Sequence, residues 1–494
     1  MTTIKLDPGA ALLLDALHGA GHAAYAVGGC VRDSLLGLDP HDWDLCTSAR
    51  PEQVMALFGE EKCIPTGLQH GTVTVKQGGR LYETTTFRTE GAYSDGRHPD
   101  AVCFVPDVRE DLARRDFTIN AMAYSAEEGL IDPFGGRDDL AAHLVRAVGE
   151  PERRFEEDAL RILRLYRFAA RFGFAIDPAT GAAARALGPH LDCVSAERIQ
   201  EELLKLLAAP RPGSYLEPAV LAVILPELEP EKQPERFAEL CRTIDRIEPT
   251  AENVPARLAA LLCPLGEAGA RKALRKLKCS NALTDEVTAL EREAGGGAGS
   301  FLLPRSRDRW AGSSSEDRPL GWDPAAAGSR AGDGMACNSN DCRQRRKQGV
   351  AVGAAASEMR VPSKARSRCW VPQPELVSEE KASAYPGDIH IRQLLGRYGL
   401  CTVERLCALC AALHPQAAPA CALAAQRARQ LEADGVCCRV SQLAVNGRDL
   451  MAAGIPAGPA LRRVLEALLD GVIRAEYPNE KPVLLAAAQK IIAS

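Results

Sequence analysis

Near residue 138 the hydrophobic pattern of this chain changes period, and that change constrains the fold more than any other feature. Before it, short runs alternate apolar and polar residues as half-buried strands do. After it, apolar residues recur at three- and four-residue spacing, as on helix faces. "GTVTVKQGGRLYETTTFR" carries β-branched residues on both arms around Gly78-Gly79 and reads as a β-hairpin. "HAAYAVGGCVRDSLLG" reads as strand, glycine turn and helix, "DWDLCT" as a strand, and "RPEQVMALFG" as a helix with Pro51 in its first turn. Residues 1–21 read as a further helix. Downstream, "FEEDALRILRLYRFAARFGF" and "SAERIQEELLKLLAA" are amphipathic, the second with Ser195 placed to cap it and Arg198 at its third helical position. The expected fold class is α+β, a small mixed β-sheet with helices followed by all-α segments.

At 494 residues the chain is too long for one ordinary core. It contains no apolar run long enough for a signal peptide or a membrane-spanning helix, so the expected location is cytoplasmic, with no membrane partner. The odd count of 17 cysteines argues against a disulfide framework, since most sit singly in apolar contexts. Cys407 and Cys410 form the one C-x-x-C in a helix-like run, and with Cys401, Cys437 and Cys438 they match no closed zinc ligand set. A net charge of −5 does not advertise nucleic-acid binding, but basic residues are clustered locally.

Between 296 and 374 all periodicity is lost. This stretch holds Trp310, Trp322 and Trp370 among many Gly, Ser and Arg residues. From 301 to 370 it carries 13 Lys and Arg against 7 Asp and Glu, which would suit an RNA-contacting insertion. Out-of-frame translation of GC-rich DNA produces the same mixture and is the favoured reading, because natural linkers rarely combine tryptophan and cysteine with so little pattern.

Asp42 and Asp44 flank Trp43 in "PHDWDLCT". In an extended segment such a pair shares one face, about 6–7 Å apart, either as an acidic loop or as a divalent-metal platform. Gly28 and Gly29 precede it after a strand and before a helix, where backbone N–H groups can approach an anion, and Arg32 adds a charge. A structural turn explains that motif equally well by itself. A phosphate cradle followed closely by a carboxylate pair is, however, the layout of nucleotidyl transfer. Glu83 could supply a third carboxylate or simply face solvent.

"VGGCVRD", "DWDL", "ARRDFTINAMAY", "DPFGGRDDL" and "EEDALRILRLYRFAARFGF", in this order, resemble the class II CCA-adding tRNA nucleotidyltransferase and bacterial poly(A) polymerase family. "LAVNGRDLMAAGIPAGPALRRVLEALL" resembles the tail of the bacterial CCA-adding branch without an HD domain, and the only His-Asp dipeptide is His41-Asp42. The resemblance implies a nucleotidyltransferase catalytic head over 1–137, a helical neck over 138–210, a body over 211–295, the anomalous stretch over 296–374 and a tRNA-binding tail over 375–494. It implies addition of CCA to tRNA from CTP and ATP with Mg²⁺, the metal held by Asp42 and Asp44, and Glu83 as a further catalytic carboxylate. The nucleotide-binding set is Gly28, Gly29, Arg32, Arg115, Asp158, Arg161, Arg164 and Arg167. No stable protein partner is read from the sequence.

Asp158 and Arg161, three apart on one expected helix, form an ordinary intrahelical ion pair in the plain reading. In the sharper one, the aspartate accepts from the exocyclic amino group of cytosine or adenine and the arginine donates to the ring nitrogen. Uracil and guanine reverse that order and leave both side chains unpaired. Arg167 would point roughly opposite to Asp158 on an ideal helix, with Arg164 at the nucleotide's periphery. In "RRDFTINAM", Arg115 suits a triphosphate, Asp116 could orient Arg115 or the later helix, and Phe117 and Ile119 look like core. "TEGAYSDGRHPDAVCFV" resembles the family's flexible loop. A poly(A) polymerase, a relative adding only CC or A, and an inactive RNA-binding relative remain alternatives.

Overall fold

The computed structural model describes residues 3–90, 102–295 and 387–493, all within one compact unit. The anomalous stretch 296–374, with its three tryptophans, lies outside the described residues, as does the centre of the loop read as flexible.

A seven-stranded sheet organises the N-terminal part, in the order β3-β4-β5-β2-β1-β8-β9. The strands are β1 Ala24–Val27, β2 Leu45–Thr47, β3 Cys63–Gly67, β4 Thr72–Gln77, β5 Arg80–Thr86, β8 Ala123–Ser125 and β9 Gly129–Ile131. A separate antiparallel pair, β6 Arg88–Glu90 and β7 Val102–Phe104, brackets the loop. Only β2 and β5 run parallel within the large sheet; its other neighbours are antiparallel. The β4–β5 turn is tight because Gly78 and Gly79 both take positive φ, which side chains disfavour.

One sheet face is covered by α1 (Pro8–Gly19) and α3 (Pro51–Phe58): Leu13, Leu14 and Leu17 pack with Ala26, Leu45, Val73, Val75 and Tyr82. Asp7 caps α1 by accepting from the backbone N–H of Gly9 and Ala10, so the first helix begins at Pro8 rather than at the terminus. The opposite face is covered over β1 and β2, where Val108 and Leu112 of α4 (Val108–Ala113) cluster with Tyr25, Val27, Cys46 and Phe87. On β3, β4 and β5 the described residues leave Thr66, Lys76, Leu81 and Glu83 of that face exposed, with Thr74 buried among them.

Beyond the sheet the described residues are helical, apart from a small parallel pairing of Leu144–Val145 with Ala175–Ile176. The helix expected to run through "EEDALRILRLYRF" is two helices, α6 (Pro151–Glu157) and α7 (Leu160–Phe172). Asp158 between them is extended, at φ −147° and ψ 104°, and its side chain accepts from the N–H of Leu160. An aspartate that satisfies a free N–H at a helix start competes with helix continuation, which explains the break. α7 ends at Gly173 in the left-handed region. α9 (Ala196–Leu207) packs beside α7; Ser195 holds the capping position without a side-chain capping bond.

The C-terminal helices Asp388–Tyr398, Leu400–Leu413 and Ala418–Ala433 join the main core, and residues from Cys437 to Ala488 form a separate one. Cys407 and Cys410 are buried in Leu400–Leu413, and burial pushes both thiols up, as expected of small core residues. Among the described residues no helix is long and apolar enough to cross a membrane.

Candidate active site

Trp43 is buried in the core, so Asp42 and Asp44 on either side both turn outward to solvent. They precede β2 rather than lying in it, yet Asp44 is anchored to the sheet, its carbonyl accepting from Val27 N at 2.9 Å. The β2–β5 register pairs Leu45 with Thr84, which sets Glu83 one step back, beside Asp44 and on the same face. Crowding by surrounding protein, then by Glu83, pushes the Asp44 carboxyl up to about 6, with Asp42 adding to the push and Arg115 opposing it.

Among the described residues no three His, Cys, Asp or Glu side chains gather as a ready metal cage. A small hard cation does not need one. It takes one or two carboxylates and completes its shell from phosphate oxygens and water. Two outward oxygen donors, with the Glu83 carboxylate beside Asp44, fit such an ion.

Gly28 borders this site. Its φ of +77° favours glycine, and a Cβ built there would lie 2.8 Å from Arg115 Nη1. Arg115 donates through Nη2 to Asp111 at 3.3 Å, while its buried Nε has no hydrogen-bond partner. A buried guanidinium N–H left open beside a glycine turn suits an anionic ligand such as a phosphate. Burial would raise Asp111, but Arg114 and Arg115 hold its carboxyl below the usual range.

Gly29 opens α2 (Gly29–Leu35), on which Arg32 is buried. The Arg32 guanidinium donates to Asp33 at 2.7 Å and to Asn120 at 2.5 Å, and lies over the rings of Phe168 and Phe172. Arg32 is therefore engaged within the protein. Asn120 in turn donates to Asp116 at 3.0 Å.

Asp116 joins this sheet-bearing part to α7. Its Oδ2 accepts from Nε and Nη2 of Arg164 at 2.9 and 2.6 Å. Burial alone would raise Asp116, but Arg164 and the Asn120 amide hold it well below the carboxylate range. Arg167 stands over the Phe168 ring at 3.9 Å and donates to the buried Glu202 of α9 at 2.5 Å.

Asp158 and Arg161 take different partners. Asp158 accepts from Arg198 of α9 at 2.8 Å, and Arg161 donates to Glu157 at 2.8 Å and to Arg114 O at 3.0 Å. The plain reading of an Asp158–Arg161 ion pair thus gives way to two separate pairs. Sequence reasoning had not assigned Arg198, Glu202 or Glu157 to this region. The usable signal was the four-residue spacing of Arg198 and Glu202, which places two opposite charges on one face of α9.

Residues 24–146 match the poly A polymerase head domain. Residues 173–232 match a family described as a probable RNA- and SrmB-binding site of polymerase A, and 407–488 match tRNA nucleotidyltransferase domain 2. The CCA-adding enzyme of Leuconostoc citreum is 45% identical over 257 residues, 52% of this chain and 63% of that one. Those of Lactobacillus helveticus and Geobacillus stearothermophilus are 43% and 42% identical over 277 and 281 residues, each match covering 56% of this chain and 68% of the relative. These alignments therefore span about two thirds of the curated relatives' length. The crystal structure of the Bacillus stearothermophilus CCA-adding enzyme in complex with CTP superposes with a TM-score of 0.67 at 29% identity, covering 99% of this chain and 98% of that one. Head fold, helical continuation and relatives agree, and the chain belongs to the family of CCA-adding tRNA nucleotidyltransferases and bacterial poly(A) polymerases.

Proposed function

We propose that this protein is a template-independent tRNA nucleotidyltransferase, adding CCA to the tRNA 3′ end from CTP and ATP with release of pyrophosphate, in the cytoplasm. The observation that carries the reading is the strand register that sets Glu83 beside Asp44, on a face bordered by Gly28 and Arg115. Carboxylates for a metal and a glycine-flanked arginine for phosphates then meet in one place.

Enzymes of this family generally use a divalent metal, and Mg²⁺ held by Asp42 and Asp44 is the ion proposed here. When bound it neutralises triphosphate charge and makes the attacking 3′-hydroxyl more acidic. The protein's own groups position the reactants. Arg115 holds phosphate oxygens against the Gly28–Gly29 turn. Arg32, tied to Asn120, supports that turn from inside. Asp158 accepts from the base's amino group through lone pairs left over from Leu160 N and Arg198. Arg161 has N–H groups beyond the three committed to Arg154, Glu157 and Arg114, and donates one to the ring nitrogen. Arg164 and Arg167, anchored on Asp116 and Glu202, hold α7 at the nucleotide's edge.

The test incubates purified protein with tRNA transcripts lacking three, two or one of the terminal nucleotides, with each nucleoside triphosphate separately. Two C residues followed by a single A is the expected product. Long A tails would replace the reading with poly(A) polymerase, and RNA binding without incorporation with an inactive relative. Asp44→Ala should abolish incorporation while leaving tRNA bound; activity surviving that change would refute the metal assignment.

A further inference from the structure

The open half of the sheet carries a polar surface that continues outward from the carboxylates. Reading across it, β1 ends just before Gly28, β2 begins after Asp44, β5 carries Glu83, and β4 and β3 lie beyond. Register puts Thr74 opposite Glu83, Thr72 opposite Thr85 and Lys76 opposite Leu81, so all six share the face of Asp44. The hydroxyls of Thr72 and Thr85 meet at 3.0 Å, and those of Thr66 and Thr74 at 2.9 Å. Among the described residues Thr66 and Lys76 are exposed, Thr72 and Thr85 are half-buried, and Leu81 is 61% exposed.

Resting on the proposed nucleotidyl transfer, we infer that this threonine shelf, with Lys76, holds the 3′-terminal ribose and phosphate groups of the tRNA primer. Direction follows from the chemistry. In phosphoryl-type transfer the attacking and leaving oxygens lie in line on opposite sides of phosphorus. Gly28 and Arg115 place the leaving pyrophosphate on the β1 side of Asp44. The attacking hydroxyl must then arrive from the β5 side, over Glu83. From β5 to β3 is two strand spacings, ~10 Å, room for the last nucleotides of a single strand. What the primer offers there is a 2′-hydroxyl on each sugar and charged phosphates. The hydroxyls of Thr66, Thr72 and Thr85 each retain a free lone pair or proton for a 2′-hydroxyl, Thr74 lies beneath as the buried partner of Thr66, and Lys76 suits a phosphate. A surface that bonds 2′-hydroxyls also distinguishes RNA from DNA ends.

The experiment measures KM and kcat for C addition to an RNA minihelix and to the same minihelix with 2′-deoxyribose at its last two nucleotides. It compares wild type with Thr66→Val/Thr85→Val, Thr66→Ser/Thr85→Ser and Lys76→Ala. The valine pair is expected to raise KM for the RNA primer about three- to tenfold, the yield of one or two net hydrogen bonds, and to narrow the RNA-to-deoxy ratio. KM for CTP should stay unchanged, the serine pair should restore discrimination, and Lys76→Ala should lower the salt dependence of primer binding, measured by anisotropy without nucleotide. Unchanged primer KM in the valine pair, or an equal rise in KM for CTP, would overturn the inference. So would a change only in oligomeric state, which would make the face a protein–protein surface. Wild type that extends no tRNA would overturn the proposed function itself, so the two failures are distinguishable.

Discussion

Asp116 and Arg164, 48 residues apart, are joined by two hydrogen bonds to one carboxylate oxygen, and this pair ties the sheet-bearing head to the helix that begins after Asp158. The other Asp116 oxygen accepts from Asn120, whose own oxygen accepts from Arg32. Glycine turn, buried arginine, amide, aspartate and α7 thus form one connected chain. Asp116→Ala should let α7 shift relative to the carboxylates. A displacement near 1 Å at the reacting centre costs on the order of 10²-fold in rate. Steady-state incorporation of C and A should therefore show kcat reduced by about that factor, with tRNA affinity nearly unchanged. Wild-type kcat in this variant would show that the pair does not position α7.

Gly28→Ala attacks the site from the other side. The substitution forces an alanine to φ +77° and ψ −120°, a sparsely populated region that costs about 1–3 kcal/mol, and sets a methyl 2.8 Å from the present position of Arg115 Nη1. Arg115 must move away from the phosphate side. CTP binding, followed by titration calorimetry, is expected to weaken about tenfold or more, roughly 1.4 kcal/mol per decade. Circular dichroism should show unaltered helix content.

Legibility in the sequence followed the range of the interaction. The β4–β5 hairpin and the strand–glycine–helix turn were readable because their causes are local: Gly78-Gly79 between β-branched arms, and Gly28 at positive φ. The outward pair Asp42 and Asp44 was readable from alternation around Trp43. The break at Asp158 was hidden, because Phe155, Ala159 and Ile162 continue an apolar stripe through it, and the capping bond to Leu160 outweighs that stripe. Register was hidden as well: nothing near Glu83 says that β5 lies parallel to β2. The bond from Arg32 to Asn120 was hidden too, because that partner lies 88 residues away.

Arg257 offers a test of stability remote from the site. It is fully buried, and its guanidinium donates to Leu207 O at 2.7 Å, Ala209 O at 2.6 Å and twice to Ile247 O. These carbonyls follow the ends of α9 and of the helix Pro234–Arg246, where helices leave acceptors unpaired. Arg257→Leu would leave three buried carbonyls without donors, at about 1–3 kcal/mol each. Urea unfolding should show a loss of about 3 kcal/mol or more. Arg257→Lys should recover only part of it, because an ammonium cannot span the fork.

Glu291 sets a pH dependence of opposite sign to the buried aspartates. It is 5% exposed, its Oε1 has no hydrogen-bond partner, and burial pushes its carboxyl up to about 8. The folded protein therefore keeps a proton that the unfolded chain releases near pH 4.5. Its contribution to stability is fully present below that pH and is lost as pH rises towards 8, at roughly 1.4 kcal/mol per unit. Asp111 and Asp116, whose pKa values are lowered, contribute stability above the ordinary aspartate range that is lost only in stronger acid. Glu291→Gln should match wild type near pH 4 and exceed it increasingly up to pH 8, with the difference constant above. Parallel urea midpoints for the two proteins across that range would instead place an ionised carboxylate at Glu291.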